Sequence, residues 1–141
     1  AWFRVFFAYG PNQRSGALIP SLVKQLKSGE KPKILMPFNR NDFVFNVDIV
    51  EALHRALEVD FVSGIYNLGS GSATQVIEVL RIVEQRLMGS DQMYRLIRNT
   101  AREDASYSNY WASNKKVAAQ FGWNARTSLE VGISKIVSAQ I

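Results

Sequence analysis

The sequence contains no cysteine, which excludes a disulfide framework and any thiolate metal site and is compatible with a cytoplasmic setting. It has one histidine, His54, inside a run that reads as an amphipathic helix. The position suits a solvated face, and no metal-ligand cluster can be assembled around it. No apolar run approaches the ~20 residues that a membrane span needs. Ala1-Trp2-Phe3-Arg4 offers no basic lead-in to a signal peptide, and no long apolar stretch follows it. Also missing are a five-residue basic block and a basic motif interleaved with aromatics, so the net charge of +5 does not read as a nucleic-acid surface. Low-complexity stretches and internal repeats are lacking too.

What is present suits one domain. The 141 residues are 47% hydrophobic and 21% charged, enough apolar material for a real core. Trp2 to Ala8 is almost continuously apolar and predicts a strand buried on both faces, ended by the turn Tyr9-Gly10-Pro11-Asn12-Gln13. A chain that opens inside such a strand is expected to have neighbours preceding it. Pro20 suits the first turn of a helix reaching about Lys27, with Leu22, Val23 and Leu26 inward and Gly29 closing it.

Residues 33–36 and 43–45 read as two short strands around the polar loop Asn39-Arg40-Asn41-Asp42. Asp48 caps or begins a helix with the inner stripe Ile49, Leu53, Ala56 and Leu57. A buried strand at 64–68 closes on Gly69-Ser70-Gly71. The helix after it carries Val76, Val79, Leu80, Val83 and Leu87 inward, with Ser72 and Gln75 at capping-box spacing. Residues 93–97 read as a further strand. A helix from about Ser113 stops at Gly122, and Thr127-Ser128-Leu129-Glu130 introduces the last helix. Strands alternating with helices give an α/β fold.

Taken in order, these motifs resemble the second half of the extended short-chain dehydrogenase/reductases, the NAD-dependent sugar-nucleotide epimerase/dehydratase family. The residues that carry the resemblance are Arg4 to Phe7 with Tyr9-Gly10-Pro11, Ile19-Pro20, Gly29-Glu30-Lys31-Pro32, and Asp42-Phe43-Val44-Phe45 with Asp48. They continue through Tyr66-Asn67-Leu68-Gly69-Ser70-Gly71, the Arg102-Glu103-Asp104 loop, Asn114-Lys115, Phe121-Gly122-Trp123 and Thr127-Ser128-Leu129-Glu130. Together they run through nearly the whole chain.

The resemblance implies that residues 1–141 form the C-terminal, substrate-binding part of a Rossmann-type enzyme. They would contribute strands at about 1–9 and 64–68 to its sheet, beside a small mixed α/β substrate domain. It also implies NAD or NADP, bound mainly by an N-terminal half that this sequence lacks, and a homodimer formed through that half. The family's glycine-rich pyrophosphate turn is not found: Gly69-Ser70-Gly71 has Thr74 at the third glycine position, which makes it a turn opening a helix. None of the five tyrosines has a lysine four residues on, so the family's Tyr-x-x-x-Lys acid/base pair is missing and no residue here is assigned a catalytic role.

On the substrate side the resemblance implies a nucleotide-diphosphate sugar, without nucleic-acid or membrane partners. Val5 and Phe6 stand where the family packs residues against the nicotinamide. Phe7 stands where it has a diphosphate-binding asparagine, and Asn41 where it has an arginine, with Arg40 one residue earlier. Arg102 falls near the late-loop arginine, and Gln13 and Arg14 rim the sugar pocket. Asn67, Gly69, Trp123, Asp42 and Asp48 read as architectural. Two functions remain open: the substrate half of an enzyme that is inactive by itself, or a non-catalytic relative that keeps the fold as a binding or scaffolding module.

Overall fold

A computed structural model describes residues 1–102 and 108–139. Strand β1 (Trp2–Val5) pairs in parallel with β5 (Ile65–Leu68), in the register Trp2↔Ile65 to Val5↔Leu68. Directly after it, β2 (Phe7–Tyr9) pairs in parallel with β4 (Phe43–Phe45), and β3 (Arg40–Asn41) pairs antiparallel with β6 (Thr74–Gln75). The helices are α1 (Leu18–Lys27), α2 (Asn46–Glu58), α3 (Val76–Met88), α4 (Gln92–Thr100), α5 (Lys115–Phe121) and α6 (Leu129–Ser138). The α/β class is as the sequence indicates.

Two apolar cores meet at β4, whose alternating side chains serve both. Val44 joins Ala52 and Ala56 of α2, Tyr66 and Leu68 of β5, Val117 and Phe121 of α5, and Trp123. Phe43 and Phe45 point the other way, into a larger core built by α1, α3 and α6. Helix α1 illustrates how the sequence builds that core. Ile19, Leu22, Val23 and Leu26 recur at helical spacing and are all buried, each contributing roughly 1.5–3 kcal/mol of apolar burial. Pro20 sits in the first turn, where its missing N–H costs nothing.

Several expectations are corrected. Residues 33–36 form no strand; Lys33 N–H instead donates to Gln25 Oε1 at 2.9 Å, tying this segment to α1. Residues 93–97 lie in helix α4. The outer half of the α2 stripe is exposed: Ala52 and Ala56 are buried, whereas Leu53 and Leu57 face outward. Ser72 does not cap α3, because Thr74 and Gln75 are drawn into β6 and the helix starts only at Val76. Strand β1 is not buried on both faces. Phe3 packs on Tyr66 and Phe121, while Trp2, Arg4 and Val5 remain exposed. Ser128 does cap α6, accepting from Val131 N–H at 3.3 Å. His54 is exposed on α2, with its Nδ1 3.5 Å from Glu58.

Candidate substrate and cofactor clefts

Two buried carboxylates hold the framework of the site. Asp42, between β3 and β4, is fully buried, and its two oxygens accept four hydrogen bonds. Ser70 N–H and Ser70 Oγ donate at 2.6 Å each, Ala112 N–H at 2.9 Å and Gly71 N–H at 3.0 Å. One side chain thereby ties the β3–β4 junction to the turn after β5 and to the segment before α5. Gly69 is required there because a Cβ would lie 2.5 Å from both Asp42 Oδ2 and Ala112 Cβ. Asp48 accepts from Arg126 N–H, Thr127 N–H and Thr127 Oγ1, and Trp123 Nε1 donates to its carbonyl at 2.8 Å. Both aspartates and Trp123 are architectural, as their sequence context indicates.

The same contacts decide what the Gly69-Ser70-Gly71 turn can bind. The amides of Ser70 and Gly71 are already committed to Asp42, so the turn offers them to no pyrophosphate. Val5 and Phe6, with Arg4, Phe7, Ala8 and Tyr110, line an open, largely apolar cleft of about 530 Å3 that suits the flat face of an aromatic ring. The two residues expected on the cofactor side, Val5 and Phe6, thus line the same cleft.

A second cleft, of about 350 Å3, shares Phe7 and Ala8 with the first and is lined also by Gln13, Arg14 and Asn41. The structure thus gathers four expected substrate residues, Phe7, Gln13, Arg14 and Asn41, around one depression. Gln13 Nε2 donates to Ala8 carbonyl at 2.9 Å, folding the turn back over the end of β2, while the Arg14 side chain stays exposed. Arg102 lies apart, in a third cleft of about 410 Å3 formed with Ala101 and residues 34–39. Arg40 is exposed and lines none of these three. Glu103 and Asp104 of the late loop lie outside the described residues.

Tyr110 is the site residue that sequence reasoning misses. Its ring stands 6.2 Å from both Phe6 and Phe7, and Phe7 in turn lies 5.8 Å from Phe43. Tyr110 is brought in by backbone contacts that no local pattern announces. Arg40 N–H donates to Ser108 carbonyl at 2.8 Å, and Ser108 N–H to Asn39 Oδ1 at 3.0 Å, which lays residues 108–110 beside β3.

The NAD dependent epimerase/dehydratase family model matches residues 1–69, the stretch holding both β1–β2 and the Asp42 anchor. Over that stretch the chain is similar to this family. It is 26% identical over 138 residues to CDP-abequose synthase of Salmonella muenchen, covering 96% of this chain and 46% of that protein. It is 28% identical over 131 residues to a trifunctional UDP-glucose 4,6-dehydratase/UDP-4-keto-6-deoxy-D-glucose 3,5-epimerase/UDP-4-keto-L-rhamnose-reductase of Arabidopsis thaliana, covering 90% of this chain and 19% of that one. Among solved structures, MoeE5 in complex with UDP-glucuronic acid and NAD superposes with a TM-score of 0.78 at 26% identity, over 98% of this chain and 46% of MoeE5. The chain therefore spans less than half the length of these relatives, and its fold corresponds to part of a Rossmann-type enzyme. None of the helices in the described residues is long and apolar enough to cross a membrane.

Proposed function

We propose that this chain is the substrate-binding portion of an NAD(P)-dependent sugar-nucleotide epimerase, dehydratase or reductase, and that turnover requires a cofactor-binding half which also carries the dimer interface. The observation that supports this reading is the pair of adjoining clefts on either side of Phe7-Ala8. One is apolar and lined by Val5 and Phe6, and the other is polar-rimmed by Gln13, Arg14 and Asn41. Hydride exchange needs a sugar carbon in contact with the nicotinamide, and two clefts sharing one strand end provide that adjacency. The bound cofactor supplies the hydride chemistry. Val5 and Phe6 give its ring an apolar floor that excludes water, Gln13 and Arg14 rim the sugar, and Arg102 and Arg40 supply cations for the diphosphate.

The test uses the polypeptide expressed from its whole reading frame, titrated with nucleoside diphosphates. Arg102→Ala is expected to weaken binding about tenfold or more, the value of a charge-assisted phosphate contact. Unchanged affinity would refute the assignment of Arg102.

A second reading, a non-catalytic binding or scaffolding relative, is favoured by one feature. Where the family's pattern has polar diphosphate contacts, this chain has Phe7 packed on Phe43 and a buried Asn41. The two readings separate on absorbance at the reduced-nicotinamide band. A nucleotide sugar that changes it in the presence of the whole protein establishes the enzyme, and binding without any such change favours the scaffold.

A further inference from the structure

Resting on the substrate reading above, we infer that Asn41 is a specificity-determining residue, whose side-chain amide hydrogen-bonds to hydroxyls of the sugar ring and not to the diphosphate. Asn41 is 8% exposed, and its amide has no hydrogen-bond partner among the described residues. The side-chain oxygens of Asn46, Asn67 and Asn114 are sealed from the surface without a partner, but Asn41 is not among them. Its small remaining exposure opens on the cleft that it lines with Gln13 and Arg14. The backbone fixes it there from both sides. Asn41 pairs with Thr74 across β3–β6, Phe7 N–H donates to the Asp42 carbonyl at 3.0 Å, and the Asp42 carboxylate is anchored by its four donors.

The groups left free in this cleft select its occupant. The Tyr9 hydroxyl already donates to Ser128 carbonyl, and Gln13 Nε2 to Ala8 carbonyl. What remains is two open acceptors, the amide oxygens of Gln13 and Asn41, and one open donor, Asn41 Nδ2. A hydroxyl donates to such an oxygen and also accepts from Nδ2. A diphosphate or carboxylate brings no donor, and an ammonium cannot accept. Arg14, the cation of this cleft, stays exposed at its rim, where water screens it. A buried amide without a partner also costs stability, so a fold kept for its shape alone gains from an apolar residue at position 41. A bound sugar is what satisfies the amide.

The test is calorimetric titration of the protein expressed from its whole reading frame, as wild type, Asn41→Leu and Asn41→Ala. Bare UDP, dTDP, CDP and GDP first identify the base, and the glucosyl, galactosyl and mannosyl diphosphates of that base follow. The wild type is expected to bind at least one of these sugars more tightly than the bare diphosphate. Both variants should weaken that ligand about tenfold or more while leaving the bare diphosphate unchanged. The urea midpoint of Asn41→Leu should be no lower than that of the wild type, since leucine leaves no amide unpaired. Equal weakening of sugar ligand and bare diphosphate assigns the position to the diphosphate and overturns the inference, with the substrate site intact. Unchanged binding of both, or no gain from any sugar in the wild type, overturns it equally. A lowered midpoint in both variants marks a structural amide and also overturns it. Failure of every bare diphosphate to bind removes the substrate reading, and the inference with it.

Discussion

Asp42 gathers four donors onto one carboxylate with no measurable exposure to water, and three of them are backbone amides from two separate segments. Removing the acceptor strands buried N–H groups, each carrying a desolvation penalty of about 1–3 kcal/mol. Asp42→Ala is therefore expected to cost about 3–5 kcal/mol, read as a drop in the urea midpoint, and Asp42→Asn less, since one carbonyl oxygen persists. A loss under 1 kcal/mol for the alanine variant would mean that water enters and replaces the carboxylate. Part of this was legible beforehand: Asp42 reads as an architectural residue and Gly69-Ser70-Gly71 as a turn opening a helix. Their mutual pairing was not, because residues 42, 70 and 112 are joined only by tertiary folding. Tyr110 was hidden for the same reason. The sequence indicates an aromatic in a polar stretch, and its position beside Phe7 depends on the Asn39–Ser108 contact.

At the scale of elements, α4 shows why a short apolar pattern misleads. Residues 93–97 alternate loosely enough to read as a strand, yet the segment is helical because another helix caps it. Glu84 of α3 is buried, and its carboxylate accepts from Met93 N–H and Tyr94 N–H at 2.9 Å each, two of the donors that a helix start leaves without partners. Glu84→Ala should cost about 2 kcal/mol, within the range for a lost cap at a buried site, and should raise amide exchange across residues 92–97 above that of α3.

The same α3–α4 joint carries a pH dependence. Burial acts to raise the Glu78 pKa, but hydrogen bonds from Arg81 at 2.7 Å and Tyr94 at 2.8 Å, with the charges of Arg81 and Arg98, outweigh it and hold it below the usual carboxylate value. A depressed folded-state pKa stabilises the protein above the unfolded value of about 4.3, and that stabilisation is lost as pH falls through the folded value. Wild type should thus lose stability on acidification below about pH 5 more steeply than Glu78→Gln, in paired denaturant titrations at pH 7 and below. Parallel curves for the two proteins would show that the network contributes nothing to folding.

At the scale of the molecule, the most informative surface is the one left uncovered. The parallel pair β1–β5 is packed on one face by α2 and α5, through Phe3, Tyr66 and Phe121, and its other face presents Trp2 at 72% exposure and Ile65 at 50%. Parallel strands are normally covered on both faces, and the outer edge of β1 has no partner among the described residues. The apolar run at residues 2–8 signalled this in the sequence. It reads as a doubly buried strand because a continuous apolar run is the pattern of a parallel strand covered on both faces. The fold class was therefore legible, and the exposure of β1 was not, since burial is decided by tertiary packing and not by the local pattern. It follows that the 141-residue polypeptide made alone should self-associate through this face and edge. Sedimentation velocity over rising protein concentration should show growth beyond the monomer, and Trp2→Lys combined with Ile65→Lys should suppress it, because charges on an exposed sheet face and edge oppose strand addition. A monodisperse monomer throughout the concentration series would instead mean that the face tolerates water unaided, and the case for a covering half would then rest on the site chemistry alone.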